Sequence, residues 1–306
     1  MKKLLVKLIG FSVFFSITYL AVMLFTAVST VFTGDIEAAL FTNATANNGN
    51  YYRTEDLKKW LVDTSRGPHG LILGSSTAYR NIDANILSDS TGIDFFNCGS
   101  SSQTIQASCL LLRDIVKKKK IDYVLLDITP ILWDEDINET AADWVVNNEN
   151  TFNSISFRLA FYAADLTIWR YFVYFGIKRI IPFTKEHLQP ALIGQYAGKG
   201  TVQVYENVPK EFSGYKEYRT ISAANLSSLN DLVRLAGQES IKLYVYMPLP
   251  LNSSVDTTLL AGTPIEIWDG KGAGITDSMY YDSHHLTRNG TVKNTRWIAM
   301  LINQDK

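Results

Sequence analysis

The chain has 306 residues, 46% of them hydrophobic and 19% charged, with a formal net charge of -1. That balance supports a globular core of ordinary size and excludes disorder as the general state of the chain. With no basic patch and no RNP, zinc-finger or helix-turn-helix signal, nothing recommends nucleic acid as a partner.

In chain order, Lys2, Lys3 and Lys7 precede an uncharged, mostly apolar stretch from Leu8 to Gly34. A spanning helix needs roughly 20 apolar residues, whereas a cleaved signal peptide offers only about 7–15. The stretch is therefore read as an uncleaved anchor, with cleavage near Ser29 as the alternative. Lysines before the span and Asp35 and Glu37 after it place the N-terminus in the cytoplasm and the remainder outside. Residues 1–40 form the anchor, spanning at about 8–33, and the polar segment 41–50 is a linker to a domain at 51–306.

Within that domain, short apolar runs ending in turn residues predict buried parallel strands at 70–76, 93–99 and 121–130, the last ended by Pro130. Between the second and third, 102–120 predicts an amphipathic helix whose lysine-rich end suits the helix dipole and is expected to be solvated. The aromatic-rich segment 131–216 interrupts this rhythm as an insertion. Its stretch 157–183 suits a covering helix on the core, or one lying on a membrane or partner. A helix at 221–238, strands at 241–250 and 264–269, and a final helix from Thr287 to Asn303 complete the pattern. Strands alternating with helices predict an α/β fold with a parallel sheet. Cys98 and Cys109 are the only cysteines, so neither a disulfide framework nor a zinc site is expected, and Cys109 reads as a buried free thiol.

Functional groups in open parallel sheets gather at the carboxyl ends of the strands. Three such places are polar here: "GSSTAYR" after the first strand, "NCGSSSQT" after the second, and "DSHH" before the last helix. A serine, a loop of backbone donors and an Asp–His pair are the parts of a serine acyl-transfer site. Serine needs a base to remove its proton, and histidine needs an acceptor to fix its tautomer. Asp282 and His285 are three residues apart, close enough to pair across one turn of backbone. Other readings stay open. Ser76 can simply cap a helix, His284 and His285 can bind a metal together, and His69 and His187 read as surface histidines.

"LILGSS", "NCGSSSQT" and the D-x-x-H-L of "DSHHLT" together resemble the SGNH/GDSL hydrolase family. The resemblance covers about 70–130 and 220–303. It implies a flavodoxin-like three-layer α/β/α sandwich, with Ser76 as nucleophile, His285 as base and Asp282 as its support. Ser102 takes the place of the family's oxyanion glycine, so that only its backbone N–H carries over. Ser75 stands where the family usually has aspartate. The oxyanion asparagine expected after the third strand is absent, with Thr129 as the stand-in.

These departures, with the N-terminal anchor, are similar to the family's membrane-anchored envelope acyl-transfer members, such as those of D-alanyl-lipoteichoic-acid biosynthesis. The resemblance implies an esterase or O-acyltransferase that needs no cofactor or metal. Its expected partners are an acyl donor, a glycan acceptor of the cell envelope and a multi-pass membrane O-acyltransferase. The alternative is a catalytically silent domain that binds glycan or scaffolds such an acyltransferase.

Overall fold

The computed structural model describes residues 2–33, 50–65, 67–132, 137–146, 154–163, 165–166, 168–169, 195–203, 218–219, 221–248, 254–255 and 265–306. The segment expected to be the linker lies outside these up to Asn50, as does His187. Helix α1 (Lys2–Thr33) covers the span expected at about 8–33. Its stretch Lys2–Val22 is long and apolar enough to cross a membrane, with a mean hydropathy of 2.0 and none of it buried.

The domain is α/β. A five-stranded parallel sheet is formed by β1 (His69–Leu73), β2 (Asp94–Asn97), β3 (Tyr123–Asp127), β7 (Lys242–Met247) and β9 (Ile267–Asp269). Their order in the sheet is β2-β1-β3-β7-β9. Successive side chains of a strand face opposite sides, and the two cores follow that alternation. Leu71, Leu73, Val124, Leu126, Val245 and Met247 fill one core, while Ile72, Leu125, Tyr244 and Tyr246 fill the other.

The first core is covered by α2 (Asn50–Val62), α5 (Ile105–Ile115), α6 (Asn138–Val146), α7 (Ser154–Ala163) and α8 (Ala223–Gln238). The second is covered by α3 (Ser76–Asn81), α4 (Ala84–Thr91) and α9 (Arg288–Gln304). A short hairpin, β4 (Gln195–Gly198) and β5 (Thr201–Gln203), extends the β2 edge, where the Asn97 amide donates to the Lys199 carbonyl at 2.8 Å. A separate pair, β6 (Tyr218–Arg219) with β8 (Ser254–Val255), is parallel.

Several elements differ from the sequence reading. Helix α2 has no counterpart in it; Leu57 and Trp60 on that helix are buried in the first core. Helix α5 is shorter than 102–120 because Thr104 caps it, accepting from the Ala107 amide. Of the lysines beyond its end, Lys119 is buried rather than solvated, its ammonium 4.9 Å from the Trp60 ring centre and donating to the Asp63 carbonyl. Strand β3 ends at Asp127, and Pro130 sits inside a single 3-10 turn, Thr129–Leu132.

His69 is buried, not superficial, because it opens β1, a strand paired on both sides, and its ring meets Trp60 edge-on. Cys109 is a buried free thiol, and burial pushes the Cys98 thiol up to about 12. Of the stretch 157–183 most lies outside the described residues; in α7, at its start, Ile155, Leu159 and Ala160 pack into the core while Phe157, Phe161 and Tyr162 face outward.

Candidate active site

The sheet order, counted among its own strands, is 2-1-3-4-5, so the sense in which successive strands are added reverses at the boundary between β1 and β3. Ligand crevices form at the carboxyl ends of strands at such a point. Ser76 stands there, two residues after Gly74, as the first residue of α3. Gly74 has φ of +142°, and a Cβ at this position would lie 2.6 Å from the Asp127 Cβ, so the close turn requires glycine. The capping role falls to Ser75, whose hydroxyl accepts from the Thr77 amide. Ser76 is left half-buried, with its hydroxyl directed elsewhere.

That direction is His285. Its Nε2 lies 2.8 Å from Ser76 Oγ, and its Nδ1 lies 2.6 Å from Asp282 Oδ2. The other Asp282 oxygen accepts from the backbone amides of His284 at 3.0 Å and His285 at 2.7 Å. One carboxylate thus closes the loop and orients the ring. The loop is locked from beneath by Asn81, at the end of the helix that begins with Ser76. Its carboxamide donates to the His284 carbonyl at 2.9 Å and accepts from the Leu286 amide at 2.8 Å. Sequence reasoning does not single out Asn81, and no local pattern marks it.

Burial pushes the His285 imidazole below its ordinary 6.5; the hydrogen bond to Asp282 opposes this, and His284 and Arg80 add to the lowering. For Asp282, burial acts upward, but the hydrogen bond from His285 and the charges of both imidazoles hold its carboxyl well below the usual range. His285 is therefore neutral at neutral pH, which is the form able to accept a proton. The sign follows: a lowered value keeps the base neutral further into acid. The acid limb of reaction with a serine-directed fluorophosphonate should accordingly fall below pH 6.5. A midpoint at or above 6.5 would contradict this electrostatic account.

The remaining predicted residues fare differently. The turn after β2 lies against the Ser76 turn, since the Ser100 amide donates to the Gly74 carbonyl at 3.3 Å. Its two sides are held by one buried ion pair. Arg53 donates to the Gly99 carbonyl, and Asp143, 3.5 Å from Arg53, accepts from the Ser101 amide at 3.3 Å. Ser102 has a left-handed φ of 44°, and its hydroxyl donates to Glu139 at 2.7 Å. Its amide makes no hydrogen bond among the described residues, so it remains a free donor.

Thr129 does not fit the part expected of it. It is fully buried, and both its amide and its hydroxyl donate to Asp127 Oδ1, at 2.9 and 2.6 Å. Neither donor is left for an oxyanion.

Asp282, His284 and His285 also lie close enough to hold a cation, their ligand atoms within 4.8 Å of one another. Both ring nitrogens of His285 are already engaged, however, and His284 Nδ1 pairs with the Ser283 hydroxyl at 2.8 Å. A metal would have to displace the Ser76 or Asp282 contact. What the arrangement can do as it stands is move a proton from a serine hydroxyl to an oriented imidazole. Comparison with protein-family models, with curated proteins and with solved structures found no match, so the functional assignment rests on this geometry.

Proposed function

We propose that the chain is a membrane-anchored serine esterase or O-acyltransferase of SGNH type, acting on acyl esters of an envelope polysaccharide or related glycan. The observation that carries this reading is the unbroken line from Asp282 through His285 to Ser76. The 2-1-3-4-5 strand order supports the flavodoxin-like sandwich of that family, and α1 supports the anchor.

In the proposed reaction Ser76 Oγ attacks the ester carbonyl while His285 Nε2 takes its proton. The amides of Ser76 and Ser102 receive the developing oxyanion. His285 returns the proton to the leaving alkoxide, giving an acyl-Ser76. Water or a glycan hydroxyl then attacks, activated by the same imidazole. A multi-pass membrane O-acyltransferase is the fitting supplier of the acyl group.

The reading as a silent, glycan-binding or scaffolding partner draws on the engagement of Thr129 by Asp127. Such a partner, however, has no need of an aligned serine and imidazole. One experiment tests chemistry and place together. A membrane-impermeant fluorophosphonate added to intact spheroplasts should label the chain. Labelling only after lysis would reverse the outward topology. No labelling in either case would remove the nucleophile and leave the silent partner.

A further inference from the structure

Asp127 is an ionisable residue for which the proposed chemistry has no direct use. It ends β3, beside the turn that carries Ser76, and is completely buried. Among the described residues no cation pairs with it. Its partners are the Thr129 amide and hydroxyl on one oxygen and the Thr77 hydroxyl on the other. Burial raises its carboxyl to about 6, and the hydrogen bonds from Thr129 and Thr77 pull the other way. A buried carboxylate without a counter-ion is costly. Two neutral hydroxyls and an amide offset that cost only in part, and such imbalance is commonest where function demands it.

The bonds around it have a fixed direction. An ionised carboxylate can only accept, so the Thr77 hydroxyl must donate to Asp127. The Thr77 oxygen, 2.8 Å from Ser75 Oγ, must then accept the Ser75 proton. Ser75 Oγ in turn accepts from the Thr77 amide. Every proton in the chain Ser75–Thr77–Asp127 points toward the carboxylate, and the Ser75 hydroxyl has no freedom left. Of two adjacent serines one is tied down, and the other faces His285.

We propose that Asp127 is a positioning residue that, through Thr77 and Ser75, fixes the turn presenting the Ser76 hydroxyl to His285. An amide in its place would donate to Thr77 and reverse the chain. The Ser75 hydroxyl would then be released and the turn loosened. Misplacement of a nucleophile by about 1 Å can cost roughly 100-fold in rate.

The proposal rests on the reading of Ser76 as nucleophile, and the test separates the two. The full chain and its variants are compared by rate of fluorophosphonate labelling, by kcat and KM with p-nitrophenyl acetate, and by melting temperature. If the wild-type chain is labelled, Asp127→Asn should slow labelling and lower kcat by about 10- to 100-fold, with little change in KM. Its melting temperature should hold or rise, because an uncompensated buried charge has gone.

Thr77→Val should slow labelling similarly, while Thr77→Ser, which keeps the hydroxyl, should stay near the wild-type rate. Wild-type rates in Asp127→Asn and Thr77→Val would overturn the positioning role and leave Ser76 as nucleophile. Should Asp127→Asn fail to fold, the contrast between Thr77→Val and Thr77→Ser is sufficient by itself. A wild-type chain that is not labelled at all overturns both readings.

Discussion

Replacing Ser76 with alanine should abolish fluorophosphonate labelling and lower esterase turnover by as much as about 10⁶-fold, the loss seen when a serine triad loses its nucleophile. The expectation follows from direction rather than proximity. Two serines lie side by side, but only Ser76 Oγ lies within 2.8 Å of the imidazole. Ser75 Oγ is bonded to both the amide and the hydroxyl of Thr77. Ser75→Ala removes a helix cap, worth about 0.5–2 kcal/mol of stability, and one link of the chain to Asp127. It should therefore be labelled more slowly, no worse than Asp127→Asn, yet to completion and at Ser76. Peptide mapping of the adduct separates the two serines. Undiminished labelling of Ser76→Ala would end the nucleophile assignment.

The histidines should divide as sharply. His285→Ala removes the group that takes the serine proton and should cost several orders of magnitude in kcat. Asp282→Asn keeps the shape of the loop but can donate to Nδ1. The ring proton would then sit on Nε2, the wrong tautomer for accepting from Ser76, at a cost of about 10⁴-fold. His284→Ala should be much milder. Its ring lies tilted against that of His285, with centroids 4.1 Å apart, and its Nδ1 is turned to Ser283. Equal losses at His284 and His285, with sensitivity to a chelator, would point instead to a cation held with Asp282.

The catalytic candidates are legible in the sequence because their signals are local. Ser76 follows an apolar run and a glycine, and Asp282 and His285 share one turn. The strands of the sheet are legible for a similar reason: continuous apolar runs have few homes other than a sheet covered on both faces. What supports the site is not legible, because its partners are distant in the chain. Asn81 holds a carbonyl 203 residues away, and Arg53 holds one 46 residues away. Nothing adjacent to either residue in sequence foretells those contacts. Thr129 shows the opposite error. Its place in the family pattern suggests an oxyanion donor, but the neighbouring Asp127 takes both of its protons. His69 in "GPHG" reads as a surface turn because glycine and proline usually mark one; here the turn ends where β1, an inner strand of the sheet, begins.

The separation of Ser76 from His285, 209 residues, has a consequence for how activity arises. Parallel sheets form slowly because each pairing must close a long loop before it is rewarded. In this chain β7 and β9 are the last strands of the sheet in sequence, and the histidine loop leads directly into α9, which packs beside α3 and α4. Without that loop in place Ser76 would have no base beside it and would be an ordinary alcohol. A chain still emerging, or one cut before its last helix, would carry every residue of the nucleophile turn and remain chemically inert. On the proposed reading, completion of folding would therefore act as the on-switch, since only the finished molecule aligns an imidazole with Ser76.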